Sequence, residues 1–328
     1  MISVLREKII IESFLLTLLL GTISLLGYLF LPKVLYFNLI AMIALSATPI
    51  HGAYKKPYSY ILISVILTTI SLIIGIYISN KSELIPLCTI AMGILAVYLP
   101  TRYPQIPEIL TKFCFIAYIS SALTHNSNNL STILFAFCIV VIVLLFYYFI
   151  TNQLLYKKQK TLIREKVQEP YHHSLYVVII SLIIGYFITN LMIFYLPNTS
   201  SWWILMTIVL VIGFSYEGIK KTAIKRGIAN IIGPILIVLM MIPIKEYFHL
   251  QIALLLILFF LVNCLISYYL LLSLFVSCMI ISWHIVISSS QQLYAIALSR
   301  SLETLIAVCI VLSVSWIYKR TIFRLYKN

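Results

Sequence analysis

Twelve continuous apolar runs, most of them near the length that crosses a bilayer, constrain this chain more than any other feature. About 20 apolar residues make one helical span. The runs are Ile10–Leu31, Val34–Ile50, Tyr58–Ser79, Leu84–Leu99, Ile109–Thr124 and Ser131–Asn152, then Leu175–Leu196, Trp202–Tyr216, Ala223–Ile242, His249–Leu261, Cys264–Ile287 and Ala295–Tyr318. The fourth, fifth, eighth and tenth are short, which suits helices with little tilt or with interfacial ends. The runs are continuous, whereas a membrane β-barrel alternates apolar and polar residues over segments of about ten. Of the 328 residues, 62% are hydrophobic and 10% charged, against about 45–50% and about 25% in soluble domains. Too few polar residues remain to cover a soluble core of this size. The expected fold is an all-α polytopic membrane protein of about twelve transmembrane helices.

Charge gives the expected orientation. Of the 23 Lys and Arg residues, nineteen fall on one side of this arrangement. They lie at the N-terminus (Arg6, Lys8), at Lys55-Lys56, at Arg102 and Lys112, between Lys157 and Lys166, between Lys220 and Arg226, and in the tail from Lys319 to Lys327. Only Lys33, Lys81 and Lys245 mark the other side. Positive residues stay in the cytoplasm, so both termini are expected there. The net charge of +14 is therefore explained by topology, and no soluble basic face remains for nucleic acid. Met1–Leu31 reads as a retained first helix, because its apolar run is too long for a signal peptide and lacks a small-x-small cleavage site. The turn expected near Asn263 carries no charge.

The chain also repeats. Phe37–Ser79 lays over Trp202–Ile244, with Asn38 on Trp203 and Lys55-Lys56 on Lys220-Lys221. Two halves of six helices that share orientation are parallel repeats about an axis normal to the membrane. The expected division is a first repeat over 1–153, a basic cytoplasmic joint over 154–173 and a second repeat over 174–328. The unit of construction is Trp202 to Gly233, read as two apolar helices joined by a short basic loop.

Ionisable residues inside apolar helices cost about 2.5–3.5 kcal/mol each on insertion scales, so they mark candidate sites. Arg300 and Glu303 are three apart and share a helix face. Either they neutralise each other as an ion pair, or Arg300 attracts an anion while Glu303 tunes it or carries a proton. Lys220, Lys221 and Lys225, with Lys55 and Lys56, read as a cytoplasmic basic rim. Arg226, at the mouth of a helix and one turn from Asn230, is placed to hold a carboxylate bidentately. Asn230, Thr207, Asn263 and Asn38 are either interhelical glue or the lining of a passage. Gly213, Gly227 and Gly233 fit close helix packing, and no phosphate-binding glycine motif occurs. His284 is either a hydrogen-bonded core residue or a proton relay, and Glu12 reads as interfacial. The six cysteines lie in apolar segments, with no disulfide or zinc spacing. No hydrolase-type constellation is visible and Asp is absent, so no enzymatic activity, metal or cofactor is expected.

The run Trp202-Trp203 … Thr207 … Lys221 … Arg226 … Ala229-Asn230 … Gly233 resembles the fusaric acid resistance protein family, which includes bacterial aromatic carboxylic acid exporters. The family pattern has an aromatic start, a Thr, a basic loop and then Arg-x-x-Gly-Thr-x-x-Gly. Arg300-x-x-Glu303-Thr304-x-x-Ala307 is similar to its closing Arg-x-x-(Asp/Glu)-Thr-x-x-Gly. Ala229, Asn230 and Ala307 depart from the pattern. The likeness is sharp only in the second half; the first half has no counterpart of Arg226 or Arg300. A distant similarity to plant malate channels implies two six-helix units with a passage between them.

The resemblance implies an inner-membrane transporter that exports organic anions such as aromatic carboxylates. Arg226 and Arg300 would attract the carboxylate, Trp203 and Trp283 would stack on a ring, and Glu303 would couple protons. The alternatives are a passive anion channel of the same architecture and a non-transporting membrane scaffold. Expected partners are the lipid bilayer, a small organic anion and protons, with a second copy of the chain or a periplasmic accessory protein as further candidates.

Overall fold

The computed structural model describes residues 2–31, 33–51, 57–79, 81–103, 106–123, 130–156, 172–195, 202–213, 216–244, 246–265, 268–288 and 293–325. Among them there are twelve α-helices, three short 3-10 turns and no strand. Lys55, Lys56 and most of the joint (residues 157–171) lie outside the described residues, as do the side chains of Asn38, Trp283 and His284. The chain divides into two compact units, one of Met1–Cys88 with Tyr98–Val167, the other of Thr89–Val97 with Gln168–Asn328.

Among the described residues, six helices are long and apolar enough to cross a membrane, over Arg6–Gly27, Tyr58–Ser79, Ser131–Leu155, Leu175–Tyr195, Tyr216–Ile244 and Tyr294–Thr321. Four shorter helices are apolar but under that length. The long helices leave large hydrophobic side chains uncovered, among them Ile142, Phe146, Phe187, Phe194, Ile235, Leu239 and Leu298. Water does not tolerate so much apolar surface, and lipid does. The protein is a multi-pass membrane protein.

Unit 1 is built on α1 (Ile2–Phe30), α2 (Lys33–Ala47), α3 (Tyr58–Ser79), the two ends of α4 (Ile85–Arg102), α5 (Glu108–Leu123) and α6 (Leu130–Leu155). Helix α3 packs closely on α5 because Gly75 presents no side chain to the Tyr118 carbonyl and Ser121. Helix α2 gives way to a 3-10 turn at Thr48–Ile50. Pro49, which has no N–H to donate, stops it continuing. The carbonyls at its buried end would be orphaned. Ser64 donates to the Ser46 carbonyl at 2.7 Å, and the Tyr148 hydroxyl donates to that of Ala47 at 3.3 Å. The turn delivers His51 to Glu12 of α1. Glu12, whose place early in the helix suggests an interfacial side chain, is enclosed by protein. It is fully buried, because α6 covers it with Tyr147 and the Tyr156 that follows supplies a hydroxyl.

Unit 2 is built on α7 (His172–Tyr195), α8 (Trp203–Val211), α9 (Tyr216–Met241), α10 (Phe248–Cys264), α11 (Tyr269–Ser288) and α12 (Leu293–Leu325). The basic stretch Lys220–Arg226 is not a loop. It belongs to α9, because Lys, Arg and Glu are good helix formers. Glu217 lies in the first turn, where a carboxylate suits the positive helix end. The break lies earlier, where α8 stops at Val211 and Ile212 turns extended. Helix α8 has nine residues, about 14 Å, far short of a span. Asn263 is not in a turn but buried in α10, its amide donating to the Phe259 carbonyl at 2.9 Å. A polar side chain bonded to its own backbone leaves the helix free to continue, and it runs on to Cys264 before the chain turns at Leu265.

Seven of the ten buried positions of α9 are spaced three and four apart: Ile219, Ala223, Arg226, Asn230, Gly233, Ile237 and Met241. That spacing draws one stripe along the helix, so the stripe carries two polar residues among apolar ones. Gly233 on it lets α11 close in. A Cβ there would sit 3.1 Å from the Leu274 carbonyl and 3.2 Å from Ser277 Cβ. Gly213 and Gly227 have ordinary space around them, so of the three only Gly233 is demanded by packing. Pro234 is next along. It cannot donate to the carbonyl four residues back, which is that of Asn230. Ser301 of α12 fills the vacancy, donating to it at 2.9 Å. Ser301→Ala therefore strands a buried carbonyl and is expected to destabilise the protein by about 1–3 kcal/mol, measured as denaturant unfolding in detergent. A loss under about 0.5 kcal/mol, the level of an ordinary surface change, would separate Ser301 from this role.

Candidate functional site

The buried stripes of α9 and α12 bring their polar residues to one place. On α12 the spacing Ala297, Arg300, Thr304, Ala307, Val311 repeats the pattern of α9. On α8, Trp203 and Thr207 are four apart and share a face. Trp203, Thr207, Arg226, Asn230, Arg300 and Thr304 line one narrow cleft, closed on its remaining side by Val276, Ser277 and Ile280 of α11. All of these residues belong to unit 2. The cleft has room for about one water molecule. It is therefore narrower than an aromatic ring in this conformation.

Two guanidinium groups dominate its electrostatics. Arg226 is 7% exposed and Arg300 5%. Arg300 lies face-on against Trp203, its Cζ 2.9 Å from the ring centroid and 5.6 Å from that of Trp202. The two indoles themselves lie against each other with centroids 4.1 Å apart. A ring face attracts a cation, by about 2 kcal/mol or more where water is excluded, but it offers no acceptor in the plane of the guanidinium. Arg300 Nη2 and Arg226 Nε are buried with no hydrogen-bond partner. Asn230 turns its amide back on its own helix, donating to the Arg226 carbonyl at 2.9 Å. A threonine hydroxyl could bond back in the same manner, so the Asn here serves the helix backbone.

The ion pair that three-residue spacing allows between Arg300 and Glu303 does not form. Glu303 is fully buried and neither carboxylate oxygen accepts a hydrogen bond. The Trp203 face has taken the guanidinium instead. Glu303 still acts on Arg300 through space, as does Arg226. The cluster counts two cations against one anion, all in a medium of low dielectric. Such a site is short of negative charge.

Lys220 and Lys221 are exposed on the outer side of α9 and Lys225 is half-buried; none lines the cleft. At that end of the unit Lys319 of α12 reaches Glu217 at 3.6 Å and covers the Tyr216 ring at 4.1 Å. The cleft lies about 15 Å further along α9. Sequence reasoning does not single out the α11 residues Val276, Ser277 and Ile280, since nothing in their local spacing separates them from ordinary apolar helix. It also misses His51 and Ser13, which meet Glu12 and each other in unit 1.

No curated protein and no solved structure matches the chain. One family model does match, over residues 180–314, less than half of the chain. That stretch supplies every residue of the cleft and lies wholly within unit 2. Over that cleft-bearing stretch the chain is similar to the family described as fusaric acid resistance protein-like.

Proposed function

We propose that the protein is a plasma-membrane transporter that exports small organic anions, aromatic carboxylates among them, through the cleft in unit 2. The observation that carries this reading is the pair of buried guanidinium groups, Arg226 and Arg300, each with an unpartnered nitrogen at the same cleft. A carboxylate would satisfy both and neutralise the excess charge. The indole of Trp203 would then stack against the ring of an aromatic cargo once the helices part to admit it. The arrangement proposed is two parallel six-helix repeats with both termini in the cytoplasm, α8 being too short to cross by itself. It accords with the bias of basic residues toward one side. Lys220, Lys221 and Lys225 would concentrate anions at that face, and Glu303 is the candidate to answer a proton gradient.

The test is efflux of radiolabelled benzoate from proteoliposomes containing the purified chain. Arg300→Gln removes one charge-assisted contact and is expected to lower the rate at least about tenfold. Undiminished flux in that variant would remove Arg300 from the cargo path. A coupled exporter also stops when a protonophore collapses the gradient, whereas a passive channel of the same architecture does not.

A further inference from the structure

We infer that Glu12 and His51 hold one proton between them and form an intramembrane proton-binding site in unit 1. The site lies outside the stretch that matches the family model, and the inference uses nothing of the cleft in unit 2.

The argument is one of donors and acceptors. Ser13 Oγ lies 2.7 Å from the Ile9 carbonyl and 2.9 Å from His51 Nε2. A carbonyl only accepts, and a serine has a single hydroxyl proton. That proton therefore points at Ile9, and Ser13 offers His51 a lone pair. His51 Nε2 must carry a hydrogen. In a neutral imidazole this leaves Nδ1 bare. Yet Nδ1 faces Glu12 Oε1 at 3.2 Å, an ion-pair contact without the alignment of a hydrogen bond. A bare Nδ1 beside an ionised carboxylate would set two lone pairs against each other where both residues are 0% exposed at the side chain. One proton removes the conflict, as imidazolium with carboxylate or as imidazole with carboxylic acid.

The other groups facing the pair fit this count. Tyr156 donates to Glu12 Oε2, and Tyr147 of α6 donates to the Glu12 backbone carbonyl at 2.8 Å. From α1, Lys8 lies over the Tyr156 ring with Nζ 5.4 Å from its centroid. The Glu12–His51–Ser13 distances look like those of a hydrolase relay, but the direction is reversed. A nucleophilic serine must give its proton to Nε2, and here Nε2 gives one to the serine. Glu12 is six residues into the span that starts at Arg6, about 9 Å along the helix, so the pair lies within reach of one membrane surface. The proton ties α1 to the turn that ends α2.

The experiment is nitrogen NMR on the full-length protein, labelled at histidine nitrogen and held in lipid vesicles. The His51 signals are identified by their loss in His51→Gln. In the wild type Nε2 is expected to be protonated and Nδ1 to show either a proton of its own or a strong hydrogen bond from Glu12. Glu12→Gln keeps a donor for Nδ1 and an acceptor for Tyr156. It is expected to leave Nε2 protonated while Nδ1 shifts to the position of an acceptor bonded to a neutral amide. An unprotonated Nε2 in the wild type, or an Nδ1 signal identical in wild type and Glu12→Gln, would overturn the inference. The wild-type spectrum decides the first point even where a variant fails to fold.

Discussion

Arg226→Met is expected to raise the stability of the protein while lowering its affinity for a carboxylate. The guanidinium is buried, its Nε has no partner, and it faces a second cation at Arg300. Replacing buried charged groups by apolar side chains of similar volume is neutral or stabilising by about 1–4 kcal/mol, and this charge has no ion-pair partner to lose. A gain of about 1–3 kcal/mol in denaturant unfolding without ligand is the expected result. The Asn230 amide keeps its acceptor, since that is the backbone carbonyl of residue 226. Binding moves the other way. Removing one hydrogen bond to a charged group costs about 1.5–3 kcal/mol, so benzoate affinity in detergent is expected to fall between about tenfold and a hundredfold. Calorimetric titration against an unfolding curve measures both. Loss of stability together with loss of binding would instead mark Arg226 as a structural residue.

That opposition of signs is partly legible in the chain. Arg226, Asn230 and Gly233 are four and three apart, and Arg300 and Thr304 are four apart, so spacing alone puts each set on one helix face. The helices themselves follow from apolar length, and α3 runs over Tyr58–Ser79, the limits that the apolar run has. The start of α9 does not follow, because charged residues read as the end of a span. A helix stops where its backbone geometry changes, not where it leaves the lipid; no proline lies between Tyr216 and Arg226, and the one glycine, Gly218, falls in the first turn. The fate of Glu303 is also hidden. Spacing allows it to meet Arg300, but only the indole of Trp203, far away in sequence, decides where the guanidinium goes. The meeting of Glu12 and His51 depends on a turn at Pro49 and on a tyrosine from α6, which no local pattern connects.

Gly75→Ala is expected to be among the most damaging single substitutions in unit 1. A Cβ at this position would overlap Ser121 Oγ and lie 2.5 Å from the backbone carbonyl oxygen of Tyr118 and 3.0 Å from the backbone nitrogen of Ala122. A side-chain end can rotate away, but a helix backbone cannot, so α3 and α5 would have to separate. Overpacking typically costs about 1–3 kcal/mol and occasionally more. With backbone on the far side, a loss of about 3 kcal/mol or more is the expectation. Gly185→Ala is the control. Its Cβ meets the flexible Cδ1 of Ile208 first and the next atoms only at 3.4 and 3.5 Å, so it should cost under about 1 kcal/mol. Adding Ser121→Ala to Gly75→Ala removes the hydroxyl but leaves the carbonyl of Tyr118 in place, so rescue should be partial. Thermal unfolding of the wild type and these three variants in one detergent measures this order. Full recovery in the double variant would place the clash on the Ser121 side chain alone, and equal losses for Gly75→Ala and Gly185→Ala would mean that the α3–α5 contact yields as readily as a side chain.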